Sequence, residues 1–396
     1  LLFKPTKSKL SIFFLVFTFL PLLVMRLVVY PITFQALQGE MIKNLEGAVH
    51  KQAELLSKWI EERVAGAQRM ANNPIVLLML QPIPENAVHA ELTQGLDALK
   101  YFDYLWKDCG TQEALVADRS GVVRAASNKA LVGTDVSTKD FFRSAVNGAL
   151  FTSGIIPSDV PLENESGIAE TGLPTMLASA PIRGRDGAVA GVVTHRIDVS
   201  RINAMMQDIH IGKTGETYLV NGYGYMLTKS RFTEDLKKNQ RIKNRSALEL
   251  KVVEAGTGNI TEGVRECLKG ASGFDANGYL DYRGVNVLGF WRWMPDYGWG
   301  IIAEIDAEEG YGTLYQLRNY IMFVFGMVAV GVIIIAFFLG KKISAPIQHV
   351  AEIAGKIAGG AYADRIAYRS DDDIGRLAGA INIMAEKLEK ARDKTS

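Results

Sequence analysis

The sequence predicts an α+β protein with a long N-terminal helix, two antiparallel-sheet lobes, two transmembrane helices and a helical coiled-coil segment. Three observations predict this class: an apolar run near each end, a strand pattern that occurs twice between them, and heptad segments directly after the second run. A hydrophobic content of 48% fits a globular protein with some membrane residues. The formal net charge of +1 gives no basic surface for a nucleic-acid partner.

The second apolar run predicts a membrane helix over residues 319–339. Residues Tyr320–Leu339 include no charged side chain, and the run is long enough to cross a hydrocarbon core of about 30 Å. A core helix of this length would usually keep a polar face, which this run lacks. Lys341 and Lys342 follow it and place its end on the cytoplasmic side.

The first apolar run, Leu10–Ile32, predicts another membrane helix. Pro21 is expected to kink it, and Arg26 lies near its far end, where its stem can reach the headgroups. A cleavable signal peptide is the alternative, but its apolar region would be shorter and would precede a cleavage site. Lysines before this run predict a cytoplasmic segment over 1–9, a span over 10–32 and an outer domain over 33–318.

The outer domain opens with a helix predicted over Phe34–Ala71. Its apolar positions recur every three or four residues. Part of this stripe is expected to pack on the domain and part to meet a partner chain, and its positions are Phe34, Leu37, Met41, Leu45, Ala48, Gln52, Leu55 and Trp59.

Strands and short helices follow this helix. We predict helices over 92–106 and 139–148, a polar loop over 154–172, and four strands. The strands are expected at 114–117, 122–126, 175–182 and 189–197.

Both ends of this unit occur a second time. Residues Leu115–Ser127 align with Leu219–Ser230, which is one residue shorter, and Ala180–Ser200 align loosely with Phe290–Glu309. Asp198 and Asp306 then hold matching places after the last strand. Two copies of one small α+β unit explain this order better than chance similarity between hairpins.

The segment after the second span contains two short heptad helices joined by a connector. Two helices this short cannot bury their apolar seams alone, so a parallel four-helix bundle of two chains is expected. The seam positions are Ile343, Ile347, Val350, Ala354 and Ile357 in the first helix, and Ile374, Leu377, Ile381, Met384 and Leu388 in the second.

This segment, residues 340–394, resembles a HAMP domain, the signal relay just inside the membrane in bacterial receptors. The matching features are Pro346, the glycines at 359 and 360, the run Asp373–Leu377, and Asn382 with Met384. The family usually has Glu where Asp373 stands. The resemblance implies that the signal-relay residues are Pro346, Ile347, Asp373, Ile374, Gly375, Leu377 and Ile381.

The outer domain resembles a double Cache domain, which has a long membrane-proximal helix and two PAS-like lobes, the distal one first. The resemblance covers Phe34–Glu309, and its most similar stretches are Gly212–Phe232 and Tyr279–Asp306. It implies a distal lobe over about 75–205 and a proximal lobe over about 206–309.

In this family the distal lobe usually binds a small molecule beneath a short helix and loop. The amino-acid-binding branch has an Arg-x-Trp-Tyr run at the start of that helix, a Tyr five residues earlier and an Asp after the last strand. Here the run is Lys139-Asp140-Phe141-Phe142, Thr134 takes the earlier place, and Asp198 is retained. Lys139 can hold a carboxylate only as a point charge, so a small carboxylate or another polar metabolite is as reasonable as an amino acid.

The predicted ligand-binding residues are therefore Lys139, Phe141, Phe142, Ser179 and Asp198. Ser179 is included because it alternates with Leu177 on a strand that is expected to line the pocket. Structural alternatives stay open: Lys139 as a solvated residue at a helix start, the phenylalanines as core residues, and Asp198 as a cap at the strand-to-helix turn.

The sequence lacks the patterns that catalysis, metal binding or a cofactor requires. The chain has five His, and no CxxC or HExxH motif or spaced catalytic triad is present. Gly212-Lys213-Thr214 is similar to the end of a phosphate loop, but Gln207 stands where that motif needs Gly. Cys109 and Cys267 fall in different lobes, so a disulfide is not expected. The aromatic residues at 290–299 are expected to pack in the core.

The two resemblances imply a homodimeric, multi-pass receptor of the bacterial inner membrane. An extracytoplasmic small-molecule ligand would change the packing of the HAMP segment and so the activity of a cytoplasmic output. A sensor histidine kinase that acts on a response regulator is favoured, and a chemoreceptor or a diguanylate cyclase is the alternative. The output module is expected after Ser396, and the start on Leu1 rather than Met predicts a fragment at that end too.

Two other functional classes fit less well. An extracytoplasmic enzyme would need a catalytic pattern, and a structural or adhesion protein would not need heptads directly after a membrane span.

Overall fold

The computed structural model describes residues 16, 19–21, 23–80, 111–164, 166–209 and 211–393. The chain divides into two compact units, Gln38–Gly312 and a second unit made of Leu1–Leu37 with Thr313–Ser396. The helix predicted over 92–106 lies outside the described residues.

A long helix opens the described chain, as predicted. A π-helical turn at Met25–Val29 leads into α1, Tyr30–Ala71, and Asn73 then caps the short helix α2, Pro74–Leu78, by accepting a hydrogen bond from the Ile75 amide at 3.0 Å. The predicted buried stripe is confirmed at four positions: Leu45, Ala48, Gln52 and Trp59 are buried.

One position of the predicted stripe is not covered within a single copy of the chain. Leu55 is 44% exposed, whereas its neighbour Leu56 is fully buried. Both leucines fit a spacing of three or four, so the periodicity could not choose between them.

The distal lobe is built on one antiparallel sheet with the strand order β2-β1-β8-β7-β3, and β4 also pairs with β7. The region predicted as a polar loop contains several short strands, among them the β5-β6 hairpin. A short helix, α3, Asp140–Val146, is close to the predicted one. The strands are β1 Thr111–Asp118, β2 Val123–Ala126, β3 Phe151–Thr152, β4 Ile156–Pro157, β5 Leu162–Glu163, β6 Ala169–Glu170, β7 Pro174–Arg183 and β8 Val189–Asp198.

The central strands of the distal sheet are buried on both faces. One face packs with α3 in a core that includes Leu115, Leu177 and Val192. On the other face, His195 Nε2 lies 2.7 Å from Met70 Sδ of α1. Successive side chains of a strand point to opposite faces, and both faces are covered here, so buried and exposed residues do not alternate along β8.

The proximal lobe follows through helix α4, Ser200–Gln207. Its antiparallel sheet has the order β10-β11-β12-β9. A core of aliphatic and aromatic side chains lies on one face and includes Tyr218, Tyr279 and Trp291. The elements are β9 Glu216–Asn221, α5 Thr233–Lys238, α6 Glu262–Cys267, β10 Gly273–Leu280, β11 Asn286–Met294 and β12 Trp299–Asp306.

The strand registers align the two lobes and correct the alignment read from the sequence. Leu115 pairs with Thr194 in the distal lobe, and Tyr218 pairs with Ile302 in the proximal lobe. With Asp198 matched to Asp306, the position equivalent to Leu115 is Tyr218 and not Leu219.

The turn residues support this register. Asp118 Oδ1 accepts from the amides two and four residues later, and Asn221 Oδ1 does the same. The sequence alignment that matches Leu115 with Leu219 is therefore wrong by one residue at its start.

The second unit contains the two ends of the chain. Helix α7, Ala307–Leu339, is followed by a π-helical turn at Gly340–Ser344, then by α8, Ala345–Ala358, and α9, Asp373–Asp393. The helices that run through α1 and α7 are long and apolar enough to cross a membrane by length and composition. Val350, Ile366 and Ala378 form a small core between α8, the connector and α9.

Candidate ligand site and relay segment

A buried arginine is the centre of a charged network in the distal lobe. Arg196 of β8 pairs in register with Glu113 of β1, and its Nε donates to Glu113 Oε2 at 2.8 Å. Both side chains are 7% exposed. Burying this pair removes both charges from water, so each charge requires the other.

The network continues to the surface through Asp159. Arg196 Nη2 donates to Asp159 Oδ1 at 2.9 Å, and Lys139 Nζ donates to Asp159 Oδ2 at 3.0 Å. The Asp159 side chain is 55% exposed. Burial opposes its ionisation, but the hydrogen bond from Lys139 and the charge of Arg196 outweigh this and lower its pKa. One accessible carboxylate is therefore shared by two cations.

The other predicted ligand residues of α3 and β7 surround the same face of the sheet. Phe141 and Phe142 are buried in the distal core with Leu177. Ser179 is fully buried, and its hydroxyl donates to Thr194 Oγ1 at 2.9 Å. By strand alternation, Thr194 and Arg196 lie on one face of β8, so Ser179 is near the network but already has a partner.

Asp198 makes contacts of a different kind. Its carboxylate accepts from the Ser200 amide at 2.8 Å and from the Ser200 hydroxyl at 2.6 Å. These bonds hold the start of α4. A ligand-binding role for Asp198, as for the other four residues, stays a prediction.

The sequence reading missed Glu113, Asp159 and Arg196. Arg196 follows Thr194 and His195 at the polar end of β8, and Asp159 lies in a polar loop, so neither position has a local signal that marks a site. Only the register that pairs Arg196 with Glu113 brings the three side chains together.

The equivalent place in the proximal lobe holds two glutamates instead of an ion pair. Glu216 pairs in register with Glu304, and both are buried. Tyr282 donates to Glu216, and Tyr279 donates to Glu304 at 2.7 Å.

Burial raises the pKa of both carboxyl groups, and the pKa of Glu304 reaches about 8. The charge of Asp281 adds to the effect at Glu304. The lobes therefore differ at one equivalent strand pair, which is Glu113 with Arg196 in the distal lobe and Glu216 with Glu304 in the proximal lobe.

A cleft of about 430 Å³ lies beside the proximal sheet. Its walls include Gln207, Glu216, Lys229 and Arg231. None of the five predicted ligand residues lines it. It is thus a second place, distinct from the distal network, where a polar molecule has room.

No group of three or more His, Cys, Asp or Glu side chains that could hold a metal ion occurs among the residues that the structure describes. Cys267 is buried and free, and burial raises its pKa to about 12. Cys109 lies outside the described residues. Of the aromatic cluster, Phe290, Trp291 and Trp299 are buried, which confirms core packing for these three.

The relay residues divide between the core and the surface of the helical segment. Ile374 and Ile381 pack against the small core with Val350, whereas Ile347 and Leu377 are 45% and 52% exposed. Pro346 is in the first turn of α8, and Asp373 opens α9, where its carboxylate accepts from Arg376. One part of the heptad seam is therefore buried within the chain and another part is not.

Gly375 and Asn382 fix the connector between α8 and α9. A Cβ atom on Gly375 would lie 1.8 Å from the Ser370 carbonyl oxygen, so only Gly fits there. Asn382 accepts from the Ile366 amide at 2.8 Å and donates to the Ile366 carbonyl at 3.0 Å. These contacts explain two residues of the sequence pattern physically.

Family models match both parts of the chain. The model for the Cache domain matches residues 34–314, and the model for the HAMP domain matches residues 338–390. A comparison with curated proteins gives no match.

Solved structures similar to the chain include sensor domains of two receptor classes. One is the sensor domain of the V. cholerae histidine kinase DctB (12% identity, TM-score 0.43, 69% of this chain and 98% of that chain). Another is the ligand-binding domain of the Campylobacter jejuni chemoreceptor Tlp3 in complex with L-norvaline (11% identity, TM-score 0.46, 69% and 94%). A third is the ligand-binding domain of the Pseudomonas aeruginosa PAO1 amino acid chemoreceptor PctC in complex with GABA (15% identity, TM-score 0.44, 67% and 99%).

The order of the parts matches their expected roles. Two apolar helices flank the sensor domain, and the helical relay segment follows the second, which is consistent with an inner-membrane receptor. The chain therefore belongs to the Cache-domain family and joins a double Cache sensor domain to a HAMP domain, the organisation of a transmembrane sensor that relays a signal.

Proposed function

We propose that the chain is a receptor whose distal lobe binds a small carboxylate and whose HAMP domain passes the resulting change to a cytoplasmic output. The observation that carries the proposal is the shared carboxylate of Asp159, held by Lys139 at 3.0 Å and by Arg196 at 2.9 Å. A ligand carboxylate that replaces Asp159 would keep both cations paired. Arg196 supplies the planar fork that Lys139 lacks.

The geometry gives this site a route of entry. Asp159 is accessible, whereas Arg196 and Glu113 are buried behind it. A ligand therefore meets a half-exposed lysine first and a desolvated arginine second. Electrostatic interactions strengthen as water is excluded, so the inner contact would supply most of the affinity.

Binding can move the loop that carries Asp159 because the exchange breaks its contacts with α3 and β8. A ligand shifts a conformational equilibrium only by its differential affinity for the two states, and a swing from 1:99 to 99:1 needs about 5.5 kcal/mol. Because the ligand's two charge-assisted bonds replace those of Asp159, this difference in free energy has to come from contacts that the ligand makes only after the loop has moved.

The relay is proposed to act as a dimer. Ile343, Ile347, Leu377 and Met384 are each more than 40% exposed in one copy of the chain. They occupy heptad positions of the π-helical turn, α8 and α9, and a second copy in a parallel four-helix bundle would cover them. The favoured output is a histidine kinase that acts on a response regulator. A chemoreceptor or a diguanylate cyclase is the second candidate, because solved structures of both kinases and chemoreceptors resemble the sensor domain.

We propose the same domain boundaries that the sequence predicts. They are 1–9 for the cytoplasmic N-terminus, 10–32 and 319–339 for the spans, 33–318 for the sensor and 340–394 for the HAMP domain.

Binding of a panel of mono- and dicarboxylates and amino acids to the full chain in lipid nanodiscs tests the proposed site. We expect Lys139→Gln to weaken the best binder about tenfold, the value of one charge-assisted contact of about 1.4 kcal/mol. Asp159→Asn should strengthen a simple carboxylate because it removes the competing charge.

Lys229→Gln is the matched control, because Lys229 lines the proximal cleft and not the distal network. Loss of binding in Lys229→Gln with full binding in Lys139→Gln would move the site to the proximal cleft. Weaker binding in Asp159→Asn would mean that Asp159 holds a ligand amine.

A further inference from the structure

The loop that is similar to the end of a phosphate loop holds a carboxylate from its own chain. Glu309, in the first turn of α7, accepts hydrogen bonds from the Lys213 amide at 2.7 Å, the Thr214 amide at 2.7 Å and the Thr214 hydroxyl at 2.6 Å. Burial opposes ionisation of Glu309, but these bonds outweigh it and lower its pKa. The carboxylate is thus charged at neutral pH, and all three hydrogen bonds to it are formed.

The shape of this loop depends on two glycines. Gly212 has φ +62°, and a Cβ there would lie 2.7 Å from Glu309 Oε1 and 3.1 Å from Ile305 Cδ1. A Cβ on Gly215 would lie 1.9 Å from the Ile211 carbonyl oxygen. A side chain at either position would clash, so both need Gly. The tight loop that the two glycines permit directs the amides of residues 213 and 214 toward the Glu309 carboxylate.

The same loop belongs to the connection between the two lobes. It lies between the end of α4 and the start of β9, and a buried glutamine of α1 ties both together. Gln52 Nε2 donates to Thr217 Oγ1 at 2.6 Å and to the Met206 carbonyl at 3.2 Å. Thr217 Oγ1 in turn donates to the Met206 carbonyl at 2.6 Å. The connection is thus attached to α1 at both of its ends and to α7 at residues 213–214 between them.

A second attachment of α7 does not involve this connection. Tyr311 donates to the carbonyl of Ala276 in β10, and Gln38 of α1 donates to the same carbonyl at 3.3 Å. This attachment joins α7 to the proximal sheet. The Glu309 contact instead joins the first turn of α7 to the segment that links the lobes, and next to it the Asp306 amide, directly before α7, donates to Thr214 Oγ1 at 3.2 Å.

We propose that Glu309 is a positioning residue of the signal relay: its contact with residues 213–214 transmits a displacement of the inter-lobe connection to helix α7. This inference rests on the proposed relay through the HAMP domain. Charge-assisted bonds are about twice as strong as neutral ones, so the loop and the helix turn move together. Because α7 is one continuous hydrogen-bonded helix to Leu339, a shift of its first turn propagates along its axis.

Hydrogen–deuterium exchange of the full chain in nanodiscs tests this inference. Glu309→Gln removes the charge and one acceptor oxygen, so we expect exchange at the amides of 213 and 214 to rise about tenfold. Exchange in α8 and α9 should change by about threefold or more, and Glu309→Asp should restore part of the wild-type pattern. Glu308→Gln is the matched control: Glu308 is exposed, carries the same charge in the same helix turn, and should leave both regions unchanged.

Two further variants separate the possible failures. Thr214→Val removes the hydroxyl that donates to Glu309 and that accepts from the Asp306 amide, so it loosens the same junction from the loop side if Glu309→Gln does not fold. Ile381→Asn disturbs the HAMP core directly. Free amides at 213 and 214 with unchanged exchange in α8 and α9 would overturn the role of Glu309, provided that Ile381→Asn does change that exchange. Unchanged exchange in α8 and α9 in both Glu309→Gln and Ile381→Asn would overturn the proposed relay, and the role of Glu309 with it.

Discussion

Replacement of Glu304 by Gln should remove a large pH dependence from the stability of the proximal lobe. Glu304 is 3% exposed and lies opposite Glu216 on the neighbouring strand. Burial raises its pKa from 4.5 to about 8, with a further contribution from the charge of Asp281, while the hydrogen bond from Tyr279 opposes the rise. The folded protein thus holds a proton that the unfolded chain releases above about pH 4.5.

The sign and the size of the effect follow from this difference in proton binding. A raised folded-state pKa contributes stability that is fully present below 4.5 and is lost as the pH rises through about 8. From pH 5 to pH 8 the loss is on the order of 3 to 4 kcal/mol, since each pH unit between the two pKa values costs about 1.4 kcal/mol. Gln has the shape of the protonated carboxyl group and does not titrate. The stability of Glu304→Gln relative to wild type should therefore rise by the same order over this range.

Urea unfolding of the full chain in nanodiscs, followed by tryptophan fluorescence, measures this difference. Trp291 and Trp299 are buried in the proximal lobe and report its unfolding. Glu262→Gln on the surface of α6 is the control and should show no pH-dependent difference from wild type. If the difference in unfolding free energy between wild type and Glu304→Gln is the same at pH 5 and pH 8, the raised pKa of Glu304 is refuted.

Three more predictions concern the distal lobe and the HAMP segment. Burial and the charge of Arg63 lower the pKa of His195 from 6.5 to about 4, so the distal lobe should lose about 2 kcal/mol of stability between pH 7.5 and pH 5, measured by exchange of its β8 amides. His195→Gln should abolish this loss. Gly375→Ala should release the connector at Ser370 and raise amide exchange there by about tenfold or more, since the added Cβ has no room. Ile347→Asn should change exchange in α8 and α9 while the affinity of the sensor domain for its ligand stays within about twofold.

Periodicity and turn chemistry were sufficient to predict the large elements. The uncharged run at 320–339, the heptads after it and the Asp-Arg-Ser-Gly turn each have a local cause, and helices or a hairpin occur at these places. The prediction was wrong where local rules allow two answers. The repeat could be aligned by leucine or by the turn residue, and only the strand register decides between them.

The charged centre of the candidate site could not be predicted because it depends on long-range register. Glu113 and Arg196 are far apart in sequence and meet only because β1 pairs with β8. Asp159 joins them from a loop without periodicity. The contact of Glu309 with residues 213–214 has the same origin: the Gly-Lys-Thr motif is local in the sequence, but its partner is a carboxylate from another element.

Hydrogen exchange of the full chain in nanodiscs, with and without a saturating ligand, tests the central claim most directly. The ligand would be the tightest binder whose affinity depends on Lys139. If the distal lobe controls the HAMP domain, this ligand slows exchange around Arg196 and α3 and also changes exchange in α8 and α9. Slower exchange in the distal lobe with identical exchange in α8 and α9 would contradict the claim, because binding would then stay within the sensor domain.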